Sequence, residues 1–245
     1  MRNHRWIIFT AIGVILVFSA CFDAIAGGGS RSGSYQGRFT SGTFQQQVNR
    51  GAGQAERRTT WQNQNGQGSR VSNRQWNRET GSGSYSSTTT RANGNTSSRQ
   101  GTVTRTGEGS YAIQGTRTGV NGNTVDVNRS VTRNDDDSRS ASTTYTGPNG
   151  QSAVIDRTTV KTPDGRHTTG TYNSGRGNSG TFDADVSRSD GTVTKNQSLT
   201  SQDGRTRQRN VYRTREQNTF TRQVRSAGPS GQTREAVQNV TVDQQ

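Results

Sequence analysis

Five arginines stand close together toward the C-terminal end: Arg205, Arg207, Arg209, Arg213 and Arg215. In an extended strand alternate residues share a face, so the five form one basic row around Val211, with Tyr212 on the opposite face. Arg222 and Arg225 follow in the next run. A guanidinium forks onto two oxygens of a phosphate or carboxylate. A basic row with aromatics nearby therefore suits a phosphate backbone or an acidic glycan. The bland alternative is a solvated face neutralised by Asp183, Asp185 or Asp203.

Other reactive groups are sparse. Beyond residue 26 the one histidine is His167, beside the turn pair Asp164-Gly165. A catalytic base needs an orienting partner and a protected site, and a thin sheet offers neither, so His167 reads as a solvated residue flanking a turn. One histidine without cysteine rules out a zinc site of the usual ligand sets. Asp135-Asp136-Asp137 is the densest acidic cluster, but consecutive side chains diverge where calcium needs ligands spread along a loop, so it reads as a solvated turn. Asp183 and Asp185 share a strand face and read as partners for arginine. The expectation is no catalytic, metal or cofactor-binding residue, no enzyme and no small-molecule substrate.

The elements that carry these residues are set by a repeat. Turn-forming pairs such as Asn65-Gly66, Asn93-Gly94, Asn121-Gly122, Asn149-Gly150, Asp164-Gly165, Asp190-Gly191 and Asp203-Gly204 recur about every 14 residues. Asn-Gly and Asp-Gly tolerate the positive φ of a type I′ hairpin turn. Between them lie runs rich in Thr, Val, Tyr and Arg, and Pro148, Pro163 and Pro229 fall just before turn centres, where no ladder bond is lost. Val125, Val127 and Val131 share one strand face, as do Phe182, Ala184 and Val186. Trp61 and Trp76 lie one repeat apart and are expected to pair across strands.

Composition limits the architecture. Past residue 26 there is one leucine, Leu199, and two isoleucines, Ile113 and Ile155. Only 24% of the whole chain is hydrophobic, too little for a sizeable core. The fold class expected is all-β: a repetitive antiparallel meander of about 14-residue strand-turn units, largely single-layer, in roughly fifteen strands. The alternatives are an intrinsically disordered low-complexity chain and a β-solenoid of paired repeats. A lipid-facing barrel is disfavoured, because Thr206, Gln208, Asn210 and Thr214 oppose the arginine row and leave no apolar face. The net charge of +14 is almost entirely arginine; Lys161 and Lys195 are the only lysines.

The N-terminus has the order of a secretory signal: Arg2 and Arg5, an uncharged run from Trp6 to Phe22, then Ala24-Ile25-Ala26 as a cleavage site before Gly27. Phe18-Ser19-Ala20-Cys21 resembles the lipobox of bacterial lipoproteins, which makes lipidation at Cys21 the alternative. The organisation expected is signal peptide 1–26, Gly/Ser-rich tether 27–34, a Gln/Asn/Arg-rich region 35–100 with Trp61 and Trp76, and the regular repeat 101–242. That last part, with Gly147-Pro148-Asn149-Gly150, is similar to uncharacterised exported bacterial proteins built from tandem hairpins. The resemblance implies secretion and repetition and no activity. Two functions follow as expectations for an extracytoplasmic, non-enzymatic protein. One is a structural, matrix or adhesion-like component that self-associates through sheet edges; the other is a polyanion binder for extracellular DNA or acidic polysaccharide, with the row at Arg205 to Arg215 as its site.

Overall fold

The computed structural model describes residues 28–37 and 41–242; residues 1–26, expected as a signal peptide, and Cys21 among them, lie outside the described residues. Sixteen strands follow in chain order: β1 (Gly29–Gly37), β2 (Ser41–Gly51), β3 (Gln54–Asn63), β4 (Gly66–Asn77), β5 (Ser82–Thr90), β6 (Thr96–Gly107), β7 (Ser110–Thr118) and β8 (Thr124–Arg133). They continue as β9 (Arg139–Thr146), β10 (Ser152–Thr162), β11 (Gly165–Ser174), β12 (Ser179–Ser189), β13 (Thr192–Ser201), β14 (Thr206–Glu216), β15 (Thr219–Ala227) and β16 (Thr233–Val242). Among the described residues there is no helix, so none is long and apolar enough to cross a membrane. The Gly/Ser-rich stretch expected as a tether contributes Gly29 to Ser34 to β1.

Each strand pairs antiparallel with the next, as the meander requires, and β1 then pairs with β16. The sheet is therefore a closed barrel, which corrects the expectation of a largely single-layer sheet. Neither the disordered alternative nor the solenoid describes these ordered, consecutively paired strands. Closure alone removes edges: every unpaired N–H and C=O row finds a partner. Self-association through sheet edges thus has no open edge to use among the described strands. The apolar cluster that does form lies at the closing seam. Tyr35 and Phe44 are buried there, packed against Trp61, Val240 and Val242. Across the seam Tyr35 faces Val240 and Gly33 faces Val242.

Two turn chemistries alternate. At one rim, Gly94, Gly122, Gly150, Gly177, Gly204 and Gly231 hold positive φ while the residue before each does not. Gly150 N–H donates to the Gly147 carbonyl at 3.0 Å, and Gly147 N–H donates to the Gln151 carbonyl at 2.8 Å. That is a type I turn closed by a glycine bulge, with Pro148 at the position that favours proline. The type I′ expectation is corrected at Asn93-Gly94, Asn121-Gly122, Asn149-Gly150 and Asp203-Gly204. It holds at the other rim at Asp190-Gly191, where φ is 48° and 72°.

Inside a barrel, side chains converge and shield one another; outside, they diverge. Burial alternates accordingly. In β2, Phe44, Gln46 and Val48 are buried and their neighbours exposed. In β8, Val125, Val127, Arg129 and Val131 are the half-buried set. Following the register from strand to strand, these residues belong to one continuous concave face. Aromatic rings on that face lie over glycines of the facing strand: Trp61 opposite Gly68, Trp76 opposite Gly83 and Phe182 opposite Gly170. A Cβ on Gly68 would sit 2.4 Å from the Trp61 ring. The two tryptophans do not pair with each other; Trp76 instead meets Tyr111 edge-on, with centroids 6.2 Å apart.

Candidate anion-binding lumen

The arginine row of β14 divides once the barrel is formed. Arg207, Arg209, Arg213 and Arg215 line the concave face with the buried Val211. Arg205 falls in the preceding turn and pairs with Asp203 at 3.4 Å. Tyr212 is on the convex face, 40% exposed. The guanidinium of Arg215 stands 5.3 Å from the Phe220 ring centroid, a cation–π contact inside the lumen.

The row is one strip of a larger lining. In register with it run Lys195 on β13, Arg222 on β15, Arg166 on β11 and Arg157 on β10. On the far wall, Arg70, Arg99, Arg117 and Arg129 occupy the same face of β4, β6, β7 and β8. Several cations are directly opposite one another across strands: Arg99 and Arg117, Arg133 and Arg139, Lys161 and Arg166, Arg213 and Arg222. Like charges in that position are destabilising.

Acids take the other face. Within the described strands every Asp and Glu points outward: Glu56, Asp126, Asp156, Asp183, Asp185, Glu216 and Glu235. Among the strand cations, only Arg58, Arg225 and His167 share that face. The concave face thus carries most strand guanidinium groups and the rings but none of the strand carboxylates; at its end Arg133 pairs with Asp137 of the following turn.

The electrostatics follow. Arg157 is pulled below its ordinary pKa by desolvation and then by Arg129. Arg209 is lowered by desolvation and by Arg213, and Arg70 and Arg99 by burial and their arginine neighbours. Lys195 is lowered by burial, then by Arg209, Arg166, Arg213 and Arg157. The Nε of Arg129 is buried with no hydrogen-bond acceptor. Where acceptors are found they include neutral groups: Arg70 Nε donates to Ser87 at 3.1 Å, and Arg31 donates to Gln46 at 2.8 and 3.0 Å.

The remaining candidates sit outside this lining. His167 lies in β11 on the convex face, its Nδ1 2.7 Å from Asp185 and its Nε2 3.3 Å from Asp183. This corrects the assignment of those two acids to arginine. The Asp185 hydrogen bond, with Asp183 beside it, raises the imidazole above its usual pKa. An imidazolium held between two carboxylates accounts for the arrangement, so no metal need be invoked for the three groups. Asp135-Asp136-Asp137 forms the turn after β8, as its composition implies. Asp137 pairs with Arg133, and Asp136 accepts from the Ser138 N–H at 2.9 Å.

One signal in the sequence marked the wider lining. In strand after strand the cation is in phase with the apolar residue, as in Val127-Asn128-Arg129-Ser130-Val131, Ile155-Asp156-Arg157 and Val193-Thr194-Lys195. The acid, where one occurs, is out of phase. Read strand by strand, only the densest row stands out. Compared with protein-family models, curated proteins and solved structures, the chain matches none.

Proposed function

We propose that this protein is a non-enzymatic, extracytoplasmic polyanion-binding barrel, and that its lumen receives a linear anionic polymer. One observation carries the reading: the strand cations gather on the concave face and the strand acids on the convex one. Cations set directly opposite one another raise each other's free energy, and a local rule broken in this way marks a place to look for function. A chain of anionic groups entering the lumen would place negative charge on the face that holds the strand cations and none of the strand acids. Rings among the guanidiniums favour single-stranded nucleic acid, whose bases stack while its phosphates meet arginine. The reading places the barrel in water. The large apolar residues on the convex strand faces, Val71, Val154, Val160, Tyr212 and Val237, are scattered, where a lipid face needs an apolar band on every strand. The signal-like N-terminus supports export.

The test compares two sets of changes in the exported chain. Arg129→Gln, Arg157→Gln and Arg209→Gln together remove lumen charge; Arg58→Gln, Arg78→Gln and Arg225→Gln remove as much from the convex face and a turn. Binding of fluorescent oligothymidine is measured across salt concentrations. The lumen triple is expected to weaken binding by about a hundredfold, at roughly 1.5–3 kcal/mol per charged hydrogen bond before compensation by neighbours. It should also flatten the slope of log K against log salt by about 0.7 per lost phosphate contact. Equal losses in both sets would reduce the effect to net charge and overturn the lumen reading. Binding of an acidic glycan but not oligothymidine would keep the lumen and replace the polymer.

A further inference from the structure

The two rims of the barrel differ in charge. One rim is made of the turns that follow the even-numbered strands. It carries Glu79, Glu108, Asp135, Asp136, Asp137, Asp164 and Asp190, against Arg78 as the basic residue of those turns. The opposite rim is made of the turns that follow the odd-numbered strands. Among its described residues it is built from Asn and Gly, with Arg91, Arg176 and Arg205, and its one acid, Asp203, is paired with Arg205. β1 starts and β16 ends at the acidic rim, so both strand ends that continue into the rest of the chain lie there. The Asn-Gly rim is free of them.

We infer that the polyanion enters the lumen at the Asn-Gly rim, because the turn carboxylates of the other rim offset the attraction of its cations. This rests on the lumen reading given above. The physical argument is one of fields. A cleft lined by one sign of charge focuses potential at its mouth and speeds arrival of the opposite charge by 10-fold or more. Carboxylates on the turns after β4, β6, β8, β10 and β12 reduce that potential for an approaching anion. At this rim the strand-end cations Arg105, Arg133, Arg139, Lys161, Arg166, Arg188 and Arg215 stand among the turn carboxylates, which offset their charge, and Arg133 is paired to Asp137. At the other mouth, Arg207 and Arg209 stand inside the entrance and the Asn-Gly turns present neutral surface. The short type I turns there also keep bulk away from the opening.

The experiment blocks one mouth at a time. Cys21→Ser removes the only cysteine. Into that background go Asn149→Cys at the tip of an Asn-Gly turn, or Thr80→Cys in a turn of the acidic rim, both exposed positions and neither altering charge. Each is coupled to maleimide-linked polyethylene glycol, and association of fluorescent oligothymidine is followed by stopped flow. The polymer at residue 149 should slow association about tenfold or more, the scale of electrostatic steering, and at residue 80 should leave it within about twofold of the uncoupled protein. Equal slowing from both rims, or slowing from residue 80 alone, overturns the assignment of the entrance while leaving the lumen as the site. No slowing from either rim, with binding retained, means that the polymer does not enter the lumen and overturns both readings.

Discussion

The two faces of this barrel wall are made from the same strands and obey opposite rules. The convex face is what water asks of a sheet: Thr, Ser, Asn, Asp and a few scattered apolar side chains, with His167 answered by Asp183 and Asp185 and Arg225 by Glu235. The concave face mixes the apolar residues of the chain with most of its strand cations and holds none of the strand carboxylates. The difference teaches that low hydrophobicity was not evenly distributed poverty. The few large side chains were concentrated on one side of each strand, where curvature lets them shield one another. The arginines were placed among them, where desolvation and like-charge neighbours hold Arg157, Arg209 and Lys195 below their ordinary pKa.

That comparison can be broken most forcefully at the seam. Phe44 is 2% exposed on the concave face, and Phe44→Ala should cost about 3–5 kcal/mol, the range for a buried aromatic. Its convex counterpart is Tyr212, and Tyr212→Thr should stay within about 0.5 kcal/mol, as for most surface changes. Urea midpoints at constant slope measure both. Similar losses would show that the faces are not energetically distinct.

A smaller effect is expected where rings lie over glycine. Gly68→Ala puts a methyl group 2.4 Å from the Trp61 ring, so the ring or the strand must shift, at about 1–3 kcal/mol for overpacking. The convex face has no such constraint at Ser69, and Ser69→Ala should be near neutral. A full-strength Gly68→Ala variant with unchanged tryptophan fluorescence would remove the ring-over-glycine packing from the account of concave stability.

The smallest effect tests the convex face through pH. The His167 pKa is raised, first by the Asp185 hydrogen bond. A group raised on folding contributes its stability in full below its unfolded value, near 6.5, and loses it as pH rises through the folded value. The thermal midpoint of His167→Gln should therefore fall short of the parent's at pH 6 and approach it by pH 9, a small change at so exposed a site. A gap that widens with pH would contradict the imidazolium bridge.

Much of this was legible from residue order. Turn positions followed from Asn-Gly and Asp-Gly spacing, and the antiparallel meander from turn spacing with prolines kept out of the runs. The β14 row was readable as a shared face because alternation is local. Arg205 was read into the strand, but its place depends on where the turn ends, and the bulged turn from Gln202 to Arg205 holds it outside β14. The pairing of Asp183 and Asp185 with His167 was missed because it joins β11 to β12 in a register that alternation alone does not supply.

What the sequence determined by itself was therefore local: strand lengths, turn sites, and which residues of one strand lie on the same side, because φ preferences and the two-residue period act within a few residues. Tertiary structure decided the rest. Pairing of β1 with β16 needs the stagger of every hairpin to add up around the circle, a sum that no single repeat contains. Only after closure is one face concave. Alternating arginines, which in an open sheet would be a solvated stripe, become the lining of a lumen because curvature brings them toward one another and away from the acids on the other side.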